Sequence, residues 1–372
     1  LETFPPQQHG MAMAIFGIGI MFGPIVGPLL GGWITDNWSW RWIFYINVPI
    51  GLLSLLLTAL VIEDPPYMKR QRMKIDYIGL ALLTTGIGSL QYVLDKGQRE
   101  DWFSSNTIVV FSILALAGIG LYIIWSLFYT DKPVVDLRIF RDRTYSTGNF
   151  LMFMAFFNLF GSIVLLPILL QTAMGYTAFL AGLVLGPGGV ATMLALPIAG
   201  KLVHKINPKI VLIVGIIICA WSTHLMAQFN LLTDFWGFVW PRVVLGIGMG
   251  FLFIPLTTMT VSHIPKERMQ DATAMYNLLR NIGGSVGIAF ITTVLARRAQ
   301  FHQFRLVEHL TPFDRTYQFL RAKLDFILGV QVPSDAVIYR ELLRQSGMLA
   351  FNDAFWLLSV CLFVILPLVF LM

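Results

Sequence analysis

The chain has 372 residues, 56% of them hydrophobic and 12% charged, with a formal net charge of +6. A soluble domain carries roughly twice that charged fraction, so the composition excludes one and points to an all-α protein that crosses a membrane many times. The positive balance is no sign of nucleic-acid binding, because Lys and Arg stand in loops between apolar runs.

Ten apolar spans follow one another, each near the ~20 residues that cross a bilayer. They cover residues 11–32, 41–62, 76–94, 107–129, 147–172, 177–200, 209–229, 236–259, 271–295 and 350–371. The first holds a crowded stretch, Gly17 to Gly32, in which Gly19, Gly23, Gly27 and Gly31 recur every four residues and line one helical face. Pro24 and Pro28 each remove a backbone donor, at a cost of about 3 kcal/mol in a soluble helix. Such a helix needs close neighbours to re-satisfy its backbone, and the glycine face lets one approach. It reads as a bend-and-contact element where two helices pack or slide.

Orientation follows from the loops. Lys69, Arg70, Arg72 and Lys74, then Lys132, Arg138, Arg141 and Arg143, then Lys201, Lys205 and Lys209, then Lys266 and Arg268 occupy alternate connections. The intervening short loops hold only Arg41, Lys96 and Arg99. The basic loops are therefore expected in the cytoplasm, together with both ends of this chain. The interval 296–349 then lies outside. It mixes Phe304, Leu306, Phe319 and Leu320 with Arg and Asp, and is expected to form amphipathic helices on the outer surface or against a partner.

Polar residues inside spans are the functional candidates. On the third span Thr84, Gly88, Gln91 and Asp95 share a face, with Asp95 read as a solvated helix end. Asn158, in the fifth, either lines a cavity or hydrogen-bonds across helices. Arg242, in the eighth, either snorkels or heads a face of Gly246 and Gly250 that meets another helix. On the ninth, Asn277, Arg280, Asn281 and Gly284 form one stripe, which favours a water-filled cavity or an inter-domain contact over snorkelling. Met152, Phe153, Met154, Phe156 and Phe157 offer an adaptable lining, although lipid-facing packing accounts for most of them. Asn352 and Asp353 are read as opening and capping the last span. Cys219 and Cys361 lie in apolar runs and pack as small hydrophobes.

Two passages carry a family resemblance. Gly23-Pro-Ile-Val-Gly-Pro-Leu-Leu-Gly-Gly32, followed by Trp33-Ile-Thr-Asp-Asn-Trp-Ser-Trp-Arg-Trp-Ile-Phe-Tyr-Ile-Asn-Val-Pro-Ile-Gly51, resembles the antiporter motif and the segment after it in EmrB/QacA-type transporters. These are fourteen-segment drug/proton antiporters of the major facilitator superfamily. Pro133-Val-Val-Asp-Leu-Arg-Ile-Phe140 resembles the lead into that family's second six-helix domain. The stretch Gly200-Lys-Leu-Val-His-Lys-Ile-Asn-Pro-Lys209 is similar to its cytoplasmic gate motif, with His204 where an acidic residue is usual.

The resemblance implies a major facilitator fold with ten of fourteen segments present and four preceding Leu1. Residues 1–62 would close the N-terminal bundle, 63–130 would hold two extra linking helices, and 131–372 the C-terminal six-helix bundle with its outer loop 296–349. It further implies proton-coupled efflux of lipophilic or cationic drugs across the inner (cytoplasmic) membrane, with no cofactor beyond the proton gradient. The implied partners are small-molecule substrates, protons, a membrane-fusion adaptor and an outer-membrane channel. The implied antiporter-motif residues are Gly19, Gly23, Pro24, Gly27, Pro28, Gly31 and Gly32. Candidates for the cavity or gate are Asn158, Arg242, Asn277, Arg280, Asn281 and His204. A dedicated exporter of one metabolite, such as a siderophore or a fatty acid, remains the alternative. A membrane enzyme or a scaffold ranks below both, because the six histidines are scattered and form no catalytic spacing.

Overall fold

A computed structural model describes residues 19, 23, 26–61, 76–130, 133–203, 205–265, 268–311, 313–328 and 333–372. Pro24 and His204 lie outside the described residues, as does most of the first expected span. Its described part, residues 26–37, is helical and is called α1. A single turn, α2 (Trp42–Tyr45), leads into α3 (Asn47–Val61). Among the described residues, nine helices are long and apolar enough to cross a membrane.

The helices α4 (Tyr77–Lys96) and α5 (Asn106–Ile124) pack on each other as a pair. Their crossing depends on two glycines: a Cβ on Gly86 would fall 2.7 Å from the backbone of Ile119, and one on Gly118 equally close to Gly86. The Asp76 carboxylate caps α4 through the N–H of Gly79 at 2.9 Å and accepts from Trp125 Nε1 at 3.1 Å, joining the start of the pair to its end. Val93, Ser89 and Gly86 form the buried face of α4; Thr84, Gly88, Gln91 and Asp95 are exposed on the other side. The passage from Pro133 to Phe140 is anchored by Tyr122, whose hydroxyl exchanges hydrogen bonds with the N–H and C=O of Val135.

The remaining long helices form a bundle: α6 (Arg143–Thr172), α7 (Ala178–Val203), α8 (Pro208–Met226), α9 (Phe235–Thr260), α10 (Met269–Val307) and, after the short α11 (Arg315–Leu328), α12 (Ser334–Ile365). Helix α9 packs on α6, α7 and α8; α10 packs on α6 and α12; α12 closes on α8. Apolar burial gives little drive between helices in lipid, so small residues and polar bonds hold them together. The Ser359 hydroxyl donates to the Ala220 carbonyl at 2.8 Å, tying α12 to α8. Backbone approaches at Gly283 and Gly287 seat α10 against Phe153 and Phe157 of α6.

The interval 296–349, expected to form amphipathic helices, is largely helical and includes α11, with its two ends continuing the flanking long helices. Helix α10 continues unbroken to Val307, and α12 starts at Ser334, so only the middle of the interval lies between them. At 39 residues α10 is about 58 Å long, nearly twice the ~30 Å hydrocarbon core. Asn352 and Asp353 therefore do not cap a helix start. They sit inside α12, where Asn352 donates to the Phe229 carbonyl at 3.0 Å and Asp353 binds Arg298 and His302 of α10, each at 2.6 Å.

Candidate functional site

A cavity of about 460 Å³ lies between α1 and the bundle. Gly27 and Pro28 of α1, with Gly23 before it, form one wall; α6 contributes Phe156, Leu159, Phe160 and Ile163; α7 contributes Leu185, Gly188, Gly189 and Thr192; α9 contributes Arg242, Leu245, Gly246, Met249 and Phe253; and α10 contributes Arg280. The lining is predominantly apolar, and its size falls within the ~300–1,000 Å³ of ligand pockets.

The α1 wall is held in place by contacts beside the cavity. A Cβ on Gly32 would fall 2.5 Å from the Ala178 carbonyl oxygen, and one on Gly182 equally close to that of Pro28. Pro28 and Gly32, one turn apart, thus seat α1 against the first turns of α7. The Asp36 carboxylate accepts from the N–H of Phe179 at 2.8 Å. The four-residue stripe of Gly19, Gly23, Gly27 and Gly31 differs from the residues that touch α7. Among the described residues, nothing lies within 4 Å of a would-be Cβ on Gly19, Gly23 or Gly27, and one on Gly31 meets Ile43 Cδ1 at 4.0 Å. Gly23 and Gly27 leave the cavity open, and a different pair of small residues makes the contact.

Arg242 and Arg280 both reach the cavity. Arg242 is 7% exposed and donates through Nη1 to the Ser162 hydroxyl at 3.2 Å, while its Nε has no partner among the described residues. Gly246 and Gly250 below it do meet a helix: a Cβ on Gly250 would fall 2.5 Å from that of Ala195 on α7. Arg280 lies over the Phe156 ring at 5.2 Å, and its Nε is likewise buried without a partner. Ion pairs among the described residues engage Asp136, Asp335, Glu341 and Asp353, none of them with these two arginines.

The other candidates separate. Asn158 lies outside the cavity lining and donates to the Leu358 carbonyl at 3.0 Å, bridging α6 to α12. Asn277 bonds its own helix at Thr273, and Asn281 is exposed; neither lines the cavity. Of the aromatic and methionine run on α6, Phe156 lines the cavity, whereas Met152 and Phe157 are buried in the bundle core and do not face lipid. Ser162, Gly188 and Gly189 were absent from the sequence reading. A lone serine carries no signal, but the Gly186-Pro-Gly-Gly189 run on α7 is as visible as the one on α1.

The sequence matches the Major Facilitator Superfamily description over residues 1–288. The multidrug export protein EmrB of Escherichia coli (strain K12) is 36% identical over 370 residues, covering 99% of this chain and 72% of that protein. The chain belongs to the major facilitator superfamily. Among its relatives, EmrB of Haemophilus influenzae is also 36% identical, over 96% of this chain and 70% of that one. The fatty acid resistance protein FarB of Neisseria gonorrhoeae is 33% identical over the whole chain and 73% of its own length. This member of the superfamily is a multi-pass membrane transporter of the EmrB type, and the cavity between α1 and the bundle is where its architecture offers a ligand space.

Proposed function

We propose that this protein exports chemically diverse lipophilic compounds across the cytoplasmic (inner) membrane by alternating access, driven by inward proton flow. The observation that carries this reading is the apolar cavity walled jointly by α1 and by α6, α7, α9 and α10. A space shared between two packed bodies changes its access when they rock against one another. The contacts of Pro28, Gly32 and Asp36 with α7 hold α1 against the bundle beside it. Coupling requires substrate and proton to bind the two arrangements with different affinity. The EmrB relatives named for multidrug export support the broad specificity.

The test is flux. In proteoliposomes carrying an imposed pH gradient, two structurally unrelated lipophilic dyes are expected to move against their gradients, and a protonophore is expected to stop both. Movement of one dye alone favours a dedicated exporter. No gradient-linked movement of either removes the proposal.

An adaptor partner is part of the same reading. Phe313, Phe319 and Phe326 stand exposed on and beside α11, away from the bundle core, as a docking helix requires. Replacing Phe319 and Phe326 by Ser leaves α10 and α12 intact and is expected to abolish co-purification with the adaptor. Retained co-purification removes α11 from that role.

A further inference from the structure

We propose that Phe156 is a positioning residue for transport: its ring, fixed between Phe160 and Phe253, holds the Arg280 guanidinium on the cavity wall by cation–π attraction. The inference rests on the transport reading above and adds the device that sets one charge in place. Arg280 Cζ lies 5.2 Å from the centroid of the Phe156 ring. That ring is 8% exposed, and its centroid stands 5.9 Å from that of Phe160 and 6.4 Å from that of Phe253. The three rings and Arg280 all line the same cavity. Arg280 enters no ion pair among the described residues, and its Nε is buried without a partner among them.

The two cavity arginines are held in different ways. Arg242 donates to the Ser162 hydroxyl, which in turn donates to the Leu159 carbonyl at 2.8 Å. Its backbone is also gripped by α7, because a Cβ on Gly188 would fall 2.7 Å from the Arg242 carbonyl oxygen. Arg280 rests instead on a ring face. The quadrupole of the ring attracts the cation, more strongly where water is excluded, and occupies none of its N–H donors. The pair is also in register with the helix seat. Phe156 and Arg280 each stand three residues beyond the point where Gly283 of α10 meets the backbone of Phe153 of α6. A flexible cation pre-set in this way need not be ordered anew in each transport cycle. Simple packing needs only an aliphatic group of similar size under Arg280, whereas positioning needs the electrons of the ring.

That difference is the test. In the full-length protein, Phe156 is replaced by 4-fluoro-, 3,5-difluoro- and pentafluorophenylalanine, which withdraw charge from the ring face stepwise and keep its shape. The protein carries 15N-arginine in nanodiscs, and the Arg280 Nε–H resonance is assigned by its loss in Arg280→Lys. That resonance is expected to be ring-shifted in the wild type, to move stepwise towards the free-arginine position along the series, and to keep its shift in Phe156→Trp. The same fluorination at Phe157, which is buried in the bundle core outside the cavity lining, is expected to leave it in place. Dye flux in proteoliposomes is expected to lose about tenfold in kcat/KM with the pentafluoro ring, the scale of a desolvated cation–π contact, and to recover in Phe156→Trp. If Phe156→Leu folds, it is expected to match the pentafluoro protein; if it does not, the fluorinated series decides. An unshifted wild-type resonance, a resonance that ignores the fluorine series, or a flux that ignores it while the resonance moves each overturns the proposal. A fluorine-sensitive resonance in a wild-type protein that moves no dye removes the transport reading and leaves the Phe156–Arg280 contact standing.

Discussion

The Asp36 carboxylate at the end of α1 accepts from the backbone N–H of Phe179 in the first turn of α7, across 143 positions of sequence. Thr177 caps the same turn through the N–H of Leu180 at 3.2 Å. An acidic group there meets both a free donor and the positive end of the helix dipole, worth about 1–2 kcal/mol together. Asp36→Ala is therefore expected to shift the α1–α7 equilibrium towards separation by about five- to thirtyfold. Spin labels on the two helices, read as a distance distribution, check this; an unchanged distribution means the bond does not hold α1 against α7.

The glycines of α1 and α7 differ in what they do. A Cβ at Gly182 would meet the Pro28 backbone, whereas one at Gly27 would enter open space. Gly182→Ala is expected to cost the α1–α7 contact about 1–3 kcal/mol, because backbone cannot step aside as a flexible side chain does. Gly27→Ala should leave that contact intact. Transport assays at matched expression check the order: Gly182→Ala impaired, Gly27→Ala near wild type. Equal effects would mean that the position of α1 is not limiting.

Asn158 ties α6 to α12 and lies outside the described cavity lining. Its amide bridges α6 to the Leu358 carbonyl, and its Oδ1 is buried without a partner. Asn158→Ala is expected to lower stability by about 1 kcal/mol, the usual value of such a bond between membrane helices. Dye flux should not change. Thermal unfolding in detergent and a flux assay on the same preparation check both halves.

The start of α11 is expected to loosen in acid. Asp314 accepts from the N–H groups of Thr316 at 2.6 Å and Tyr317 at 3.3 Å, and these bonds hold its carboxyl below its ordinary value. A depressed carboxylate contributes stability that is full above its unfolded value and is lost as pH falls through the folded one. Amide exchange at Thr316 and Tyr317 is therefore expected to quicken in strongly acidic buffer and stay slow at neutral pH. Asp314→Asn, which keeps an acceptor without the charge, should flatten that dependence.

The spans were legible because an apolar run near 20 residues has few alternatives in a membrane. The ends of α10 and α12 were not. Beyond Leu295 come Arg297, Arg298 and His302, residues that read as an exit into water, yet the helix continues and Asp353 of α12 pairs with two of them. The site was half legible. Polar type and spacing singled out Arg242 and Arg280, but the rotation of α10 that aims Arg280 inward and Asn281 outward depends on where Gly283 and Gly287 seat it on α6. The glycine stripe of α1 is legible in the same limited way. A four-residue spacing defines a face, and only the partner decides which face is used.

One helix carries both a cavity residue and a surface residue. Arg280 and Arg298 stand 18 positions apart on α10, about 27 Å along a continuous rod. Asp353 and His302 clamp the far end of that rod to α12, and α11 follows just beyond it. A tilt of roughly 10° about the cavity sweeps that end through about 5 Å, close to one helical turn. α10 therefore joins the cavity wall at Arg280 to the surface where α11 begins through one unbroken helix.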